Sequence, residues 1–144
     1  DKAFDYYLRI KPSKREEISE IHKCEPYVYA QMIAGKEAIK PGEAKNSWLT
    51  GTAAWNYVAI TQWILGIRPG YDGLIIDPIL PKDWESFSAR RFFRGKWIEV
   101  KIHNNSFSGK DGRRMTLNGK VLTGNLIPFT ELGTSNSVEV WLSK

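Results

Sequence analysis

Thr52-Ala-Ala-Trp-Asn-Tyr-Val-Ala-Ile-Thr-Gln-Trp-Ile-Leu65 is the stretch that decides the fold of this chain. Its apolar residues cover nearly the whole circumference of a helix, a pattern typical of a helix that is buried on every side. Gly66 is a natural helix end, and Pro69 prevents the helix from resuming. The other helical segments are too short to surround this one. We therefore expect its covering residues to come from outside these 144 residues.

The residues before this helix form a helical and partly irregular segment. The apolar spacing of residues 1–10 predicts an amphipathic helix. Ser13-Lys14-Arg15-Glu16 has the pattern of a capping box and predicts a second short helix, with Ile18 and Ile21 on its buried side. Pro and Gly interrupt residues 22–49, and long irregular stretches of this kind are often functional.

The second half of the chain has the pattern of short β-strands. Residues 74–76 are a short apolar run, and residues 97–103 and 137–143 alternate between apolar and polar side chains. Asn104-Asn105 has the composition of a turn, and residues 115–122 form a hairpin pattern with Asn-Gly at the tip. These signals predict an antiparallel sandwich or jelly roll. The predicted fold class is α+β.

Composition and charge exclude several classes of protein. The net charge of +5 is spread along the chain, whereas a nucleic-acid binder usually concentrates its basic residues. A single cysteine, Cys24, excludes an internal disulfide framework and fits a reducing, cytoplasmic location. The longest apolar stretch is too short and too polar to cross a membrane. With two His and one Cys, no metal-ligand spacing is present, and we expect no metal and no cofactor.

The segment that precedes the main helix has the features of an anion site. Gly51 allows close approach of the backbone, Thr50 and Thr52 supply hydroxyls, and a helix start offers unpaired N–H groups and a positive dipole end. This combination suits phosphate. The residues alone favour the simpler interpretation, in which Thr50 or Thr52 is an ordinary N-cap.

Two further groups of residues are candidates for sugar binding. Tyr27, Tyr29 and Gln31 alternate on one face of an apparently extended segment, and a Tyr-Tyr-Gln face suits a sugar because rings stack on tyrosine and the amide bonds hydroxyls. A half-buried strand face is an equally good interpretation. Glu25, between Cys24 and Pro26, has either a structural or a catalytic role.

Several motifs together resemble the C-terminal region of glycoside hydrolase family 94 phosphorylases, the cellobiose and chitobiose phosphorylase group. The motifs cover about residues 1–103 and are these: Glu25-Pro-Tyr-Val-Tyr-Ala-Gln-Met-Ile-Ala-Gly35, Gly42-Glu-Ala-Lys-Asn-Ser-Trp-Leu-Thr-Gly-Thr-Ala-Ala-Trp55, Ile64-Leu-Gly-Ile-Arg-Pro69, Tyr71-Asp-Gly-Leu74, Asp77-Pro78, Pro81, Trp84 and Phe93-Arg94-Gly95.

The resemblance implies a fold and an activity. Residues 1–70 would be the end of an (α/α)6 catalytic barrel, and residues 71–144 a C-terminal β-sandwich module. The family's enzymes split a β-glucosidic disaccharide with inorganic phosphate and invert the anomeric carbon, giving an α-sugar 1-phosphate. An Asp acts as general acid. The reaction is that of a glycosyltransferase, and phosphate is a substrate rather than a cofactor.

The resemblance also implies site residues and partners. Thr50 and Gly51 correspond to the phosphate-binding pair, Gln31 to the residue that holds the donor sugar, and Tyr29 and Glu25 to residues that line or support the site. The general acid lies upstream of these motifs, so we expect the chain alone to be inactive, with the remainder of the barrel and a second copy of the full enzyme as partners. Two alternatives are a non-catalytic carbohydrate-binding or interaction module and the phosphorylase-like end of a cyclic glucan synthase.

Overall fold

The computed structural model describes residues 1–107, 109 and 112–143, which fall into two units. Lys2–Ile60 form what we call the helical unit, and Thr61–Lys144 together with Asp1 form the β unit. This division lies between residues 60 and 61, and the predicted boundary between domains 1–70 and 71–144 stays a prediction.

Short helices open the helical unit. They are α1 (Lys2–Ile10), two 3-10 helices (Pro12–Lys14 and Glu16–Ile18) and α2 (Ser19–His22). The predicted capping box is wrong, because Pro12 starts a 3-10 turn that includes Ser13. The predicted buried side is also wrong: Ile18 and Ile21 are exposed, and His22 is buried instead. The three-residue period of the 3-10 turns rotates the side chains away from the α-helical pattern.

A tight turn and a small β-ladder follow. The amide of Val28 donates to the carbonyl oxygen of Glu25 over 3.2 Å, with Pro26 at the second turn position, where proline favours a β-turn. The predicted extended face of Tyr27, Tyr29 and Gln31 is therefore wrong: Tyr27 and Gln31 are exposed and Tyr29 is partly buried. Strands β1 (Met32–Ile33) and β2 (Ala44–Lys45) then pair antiparallel.

The main helix runs where the sequence predicts it. It consists of α3 (Thr52–Val58) and a π-helical continuation (Ala59–Ile64), so it ends one residue before the predicted Leu65. Burial on every side is not supplied by the described residues, because Trp55 is 76% exposed and Tyr57 is also exposed. Within the helix only Asn56 and Ile64 are buried.

Eight strands lie in the described residues of the β unit. They are β3 (Ile67–Pro69), β4 (Gly73–Ile76), β5 (Ser86–Phe93), β6 (Lys96–Phe107), β7 (Arg113–Leu117), β8 (Lys120–Leu122), β9 (Leu126–Pro128) and β10 (Ser135–Ser143). A short 3-10 helix, Phe129–Glu131, precedes β10. The strands form a five-stranded sheet in the order β5-β6-β10-β7-β8 and a three-stranded sheet in the order β3-β4-β9.

Two expectations for this unit are wrong. The sheet is not purely antiparallel, because β10 lies between β6 and β7, antiparallel to β7 and parallel to β6. The predicted turn at Asn104-Asn105 is part of β6. The side chain of Asn104 donates to the carbonyl oxygens of Pro81 and Trp84 over 3.1 and 2.7 Å, which holds this asparagine in the strand.

The core of the β unit lies where the alternating patterns place it. Inward-facing residues of β6 and β10 are fully buried, and they pack with residues of the three-stranded sheet in one apolar cluster. Its fully buried members are Leu74, Ile76, Ile98, Val100, Ile102, Met115, Ile127, Val138 and Val140. Burial of this apolar area is the main source of stability of the unit.

Candidate functional site

The predicted phosphate-binding pair lies at the start of α3. The hydroxyl oxygen of Thr50 accepts a hydrogen bond from the amide of Thr52 over 3.1 Å, and the two threonine hydroxyl oxygens are 2.7 Å apart. Gly51 is the N-cap residue and makes no side-chain capping bond, but its carbonyl accepts from the amide of Trp55. The interpretation of Thr50 or Thr52 as an ordinary N-cap is therefore wrong: the N-cap is Gly51, and Thr50 lies one residue earlier and accepts from the first helical amide, that of Thr52.

This geometry is also compatible with an anion at the helix start. The positive end of the helix dipole lies here, and the first amides of a helix have no partner within the helix itself. Thr50 and Thr52 are partly buried, so their linked hydroxyls can turn a donor toward a ligand. Because the amide of Thr52 already donates to Thr50, an anion here would use later amides of the first turn and a threonine hydroxyl.

Side-chain hydrogen bonds connect the predicted sugar-binding segment to the segment before α3. The indole N–H of Trp48 donates to Glu25 Oε1 over 2.9 Å, and Asn46 Nδ2 donates to Gln31 Oε1 over 2.8 Å. The amide of Gln31 also donates to the carbonyl of Lys45, continuing the β1–β2 ladder. Glu25 thus has a supporting position. Gln31 accepts from Asn46 through Oε1, which leaves the side-chain NH2 group of Gln31 free to donate to a ligand.

The bonds to Glu25 also affect its ionisation. The hydrogen bond from Trp48 is the largest cause that lowers the pKa of Glu25, followed by a bond from its own backbone. Glu25 is consequently a carboxylate near neutral pH. A group that remains charged in this way suits an acceptor of hydrogen bonds and is poorly suited to be a general acid.

A cavity of about 290 Å³ brings several of the predicted residues together. Gln31, Tyr29 and Thr52 line it, with Ile10, His22, Ala30, Met32 and Ile33 as the other lining residues. Burial, and then a hydrogen bond with Tyr7, raise the pKa of Tyr29 to about 12, so its phenol is neutral at physiological pH. Of the predicted site residues, Gln31 and Tyr29 line this cavity, whereas Glu25, Thr50 and Gly51 do not. Thr50 is linked to the cavity only through its hydrogen bond to Thr52.

His22 is a cavity residue that the sequence did not single out. It is buried at the end of α2, where Lys23 takes the left-handed conformation and stops the helix. Desolvation is the largest cause that lowers its pKa, and the charge of Arg15 acts in the same direction. The imidazole is therefore neutral at neutral pH, and one of its nitrogens is engaged in a hydrogen bond with the backbone of Gly42. The sequence feature that could have indicated His22 is a histidine in the last turn of a predicted helix.

The described part of the chain contains no group of three or more His, Cys, Asp or Glu residues placed to hold a metal ion. In the same residues, no helix is long and apolar enough to span a membrane.

Comparison with known proteins identifies the family. Residues 1–66 match the catalytic domain of the glycosyl hydrolase 94 superfamily. Residues 1–66 belong to this superfamily. Residues 67–123 match a second family model, the C-terminal domain of glycosyl hydrolase family 65. The cavity and the start of α3 thus lie in the segment that matches the family 94 catalytic domain.

Several relatives align with most of the chain, and some of them with nearly all of it. Solabiose phosphorylase of Paenibacillus borealis is 37% identical over 140 residues, 97% of this chain and 18% of the relative. N,N'-diacetylchitobiose phosphorylase of Vibrio proteolyticus is 37% identical over 142 residues, 99% of this chain and 18% of the relative. The cyclic β-(1,2)-glucan synthase of Rhizobium meliloti is 38% identical over 92 residues, 64% of this chain and 3% of the synthase. The chain thus spans about 18% of the length of the two phosphorylases.

Proposed function

We propose that this chain supplies one wall of the phosphate and donor-sugar sites of an inverting disaccharide phosphorylase. The substrate would be a β-linked disaccharide of the cellobiose or chitobiose type, and the product an α-sugar 1-phosphate. One observation carries the proposal: Thr52, whose hydroxyl is bonded to that of Thr50, lines the same cavity as Gln31 and Tyr29.

The residues have the donors that each ligand requires. Phosphate would accept a hydrogen bond from one of the two linked hydroxyls of Thr50 and Thr52 and from amides of the first turn of α3 beyond Thr52, with the helix dipole favouring its negative charge. The sugar would exchange hydrogen bonds with the amide of Gln31 and the neutral phenol of Tyr29. Charge-assisted hydrogen bonds to phosphate are the stronger of these contacts.

The reaction is a single displacement. An oxygen of phosphate forms a bond to the anomeric carbon while the glycosidic C–O bond breaks on the opposite face, which inverts the configuration. The departing oxygen takes a proton from a general acid. Phosphate occupies the place of the water in an inverting hydrolase, so no second carboxylate is required to activate the nucleophile. We assign the general acid to no residue of this chain.

A chimeric enzyme tests the proposal. The matching 142 residues of the Vibrio proteolyticus phosphorylase are replaced by this chain, and phosphate-dependent release of sugar 1-phosphate is measured. We expect activity, and we expect Thr50→Ala to raise the KM for phosphate by about 10- to 100-fold, the equivalent of one hydrogen bond to a charged ligand. Thr123→Ala, at an exposed position in the β unit, is the matched control.

Two results would contradict the proposal. An unchanged phosphate KM in an active Thr50→Ala chimera would remove Thr50 from the phosphate site. A chimera that folds, by circular dichroism and thermal melting, but releases no sugar 1-phosphate would show that these residues do not complete a phosphorylase.

The similarity to the cyclic glucan synthase favours a second candidate, in which the chain is the phosphorylase-like end of a glucan synthase. Both candidates use Thr50 and Gly51. The sequence that precedes these residues in the gene separates them, since a synthase would carry a much longer preceding region.

A further inference from the structure

The outer face of the five-stranded sheet carries side chains that the phosphate and sugar sites do not use. On β6, the residues that alternate with the buried Ile98, Val100 and Ile102 point to the opposite side of the sheet. With their neighbours on β5, β10 and β7, they form the surface that we call the outer face. Its residues in this argument are Ser88, Arg90, Phe92, Trp97, Glu99, Lys101, His103, Arg114, Ser137, Glu139 and Trp141.

A depression of about 390 Å³ with both polar and apolar lining lies at the centre of the outer face. Two cross-strand rows line it: Ser88, Lys101 and Glu139 in one, and Arg90, Glu99 and Ser137 in the other. Each row holds one short serine beside two long charged side chains. Ser88 lies on β5 and Ser137 on β10, on either side of β6. The depression exists because serine leaves space among longer neighbours, and its volume is in the range of small-ligand sites.

Aromatic side chains stand at both ends of this depression. At one end, the rings of Phe92 and Trp97 have centroids 5.0 Å apart, and the Arg90 guanidinium is 4.3 Å from the centroid of Trp97. Phe92 is 56% exposed and Trp97 is 45% exposed. These contacts hold the indole in place while leaving much of the aromatic surface accessible to a ligand.

The other end is built around Trp141. Its ring stacks on His103, with centroids 5.3 Å apart and an angle of 8° between the planes, and Arg114 lies 5.4 Å from its centroid. Trp141 pairs with His103, six residues beyond Trp97 on β6. At about 3.3 Å per residue, the two aromatic ends are about 20 Å apart.

We propose that the outer face is a binding site for an uncharged, extended oligosaccharide. Sugars present apolar C–H faces that stack on aromatic rings and hydroxyls that need both donors and acceptors. The aromatic ends supply the rings, and the serines, carboxylates, lysine and arginine between them supply both kinds of polar group. A short oligosaccharide covers the distance between the aromatic ends, whereas a monosaccharide does not.

The charge pattern disfavours the other kinds of ligand. Around the depression Arg90 and Lys101 are balanced by Glu99 and Glu139, and Arg90 contacts Glu99 at 4.0 Å. A polyanion would meet two carboxylates at the centre of its site, and a purely apolar partner would have to bury four charges. An uncharged polyhydroxylated chain has neither cost. All of these residues belong to the β unit, so this proposal stands apart from the proposed phosphate site.

Titration of the ¹⁵N-labelled chain with cellotetraose and chitotetraose tests the proposal, because the chain has 6 Trp and each indole N–H gives its own NMR signal. We expect the indole N–H signals of Trp97 and Trp141 to shift. We expect Trp97→Ala to weaken oligosaccharide binding by about tenfold, as truncation of an aromatic contact does. Tyr71→Ala is the matched control, because Tyr71 is 89% exposed in the same unit but lies outside the outer face.

The remaining outcomes overturn the proposal. Shifts confined to Trp48, which is bonded to Glu25, would place the oligosaccharide at the proposed donor-sugar site and leave the proposed function standing. Saturable binding of heparin in place of both tetrasaccharides would identify a polyanion site, and no shift with either tetrasaccharide would exclude a glycan site. Where Trp97→Ala fails to fold, the proposal is tested instead by the shifts of the Trp97 and Trp141 signals in the unmodified chain and by oligosaccharide binding of the Glu99→Gln variant.

Discussion

Arg113 donates through Nη2 to Oδ1 of Asp77 over 2.8 Å, and this bond ties the five-stranded sheet to the end of β4. Arg68 on β3 donates to the other carboxylate oxygen over 3.1 Å, and Arg113 also donates to the carbonyl of Ile76 over 3.2 Å. Asp77 thus joins two arginines from different sheets. Its partly buried position makes this network stronger than a surface ion pair.

The network predicts a pH-dependent effect of Asp77→Asn. The hydrogen bond from Arg113 is the largest cause that lowers the pKa of Asp77 from its ordinary value of 3.8. A lowered folded-state pKa means that the stabilisation is present above 3.8 and is lost as the pH falls through the lowered value. We expect Asp77→Asn to reduce the free energy of unfolding by about 1–3 kcal/mol at neutral pH.

Urea unfolding at a series of pH values measures this effect, with Asp83→Asn at an exposed position as the control. The difference between the unmodified chain and Asp77→Asn should shrink in acid. A difference that stays constant down to acid pH would mean that the carboxylate charge is not what stabilises the junction.

A side chain added at Gly66 should have a large steric effect at the end of the main helix. Its φ is +69°, and an added Cβ would lie 2.2 Å from backbone atoms of Asp77 and Pro78. Gly66→Ala should therefore cost more than about 3 kcal/mol, from backbone strain and overlap together. Gly95 is the matched control, because its φ is +81° but nothing lies within 4 Å of an added Cβ.

Thermal unfolding of the two variants separates strain from overlap. Gly95→Ala should show the strain alone, about 1–2 kcal/mol. Equal destabilisation of both variants would argue against the close approach of residues 66 and 77.

We expect the phenol of Tyr29 to titrate at strongly alkaline pH. Burial and the bond with Tyr7 raise its pKa from 10.0 to about 12, so its contribution to stability is complete below 10.0 and is lost as the pH rises through about 12. In Tyr7→Phe the pKa of Tyr29 should fall but stay raised, because burial is the larger cause. NMR titration of ¹³C-labelled tyrosine rings follows this shift, and a value for Tyr29 that does not change in Tyr7→Phe would rule out the bond.

An isosteric substitution at Asn136 should reduce the stability of the fold strongly. Its Nδ2 donates to the carbonyl oxygens of Trp97 and Gly133 over 3.0 and 3.1 Å, and its Oδ1 accepts from the amide of Gly133 over 2.7 Å. Asn136→Asp replaces both donor bonds by a buried carboxylate that faces two carbonyls, and should cost at least about 2 kcal/mol at neutral pH. The cost should decrease in acid, where the new carboxyl is protonated.

The comparison with Asn136→Ala isolates the charge, since that variant loses the same bonds without gaining a carboxylate. Denaturant unfolding at neutral and acid pH measures both. If Asn136→Ala showed the same pH dependence as Asn136→Asp, repulsion between the carboxylate and the carbonyls would not be the cause.

The candidate site was predictable where its signal is local. Thr50 and Gly51 precede a strongly apolar helix, and a helix start is visible in sequence. The bond between Glu25 and Trp48 spans 23 positions and depends on a turn at Pro26, so no periodic pattern could indicate it. The same holds for His22, which the 3-10 turns before α2 bring into the cavity wall. The end of an (α/α)6 barrel and the sandwich remain predictions.

The sequence by itself determined the local elements and which side chains of each strand face inward. The alternation of Ile98, Val100 and Ile102 and the Asn118-Gly119 hairpin follow from the two-residue period of a strand and from turn chemistry. Only the tertiary structure decided that β10 lies between β6 and β7, and hence that Trp141 and His103 stack on the face that carries Trp97. The physical reason is that the period of a strand sets the side to which a residue points, whereas the choice of neighbouring strand depends on how the whole apolar core packs.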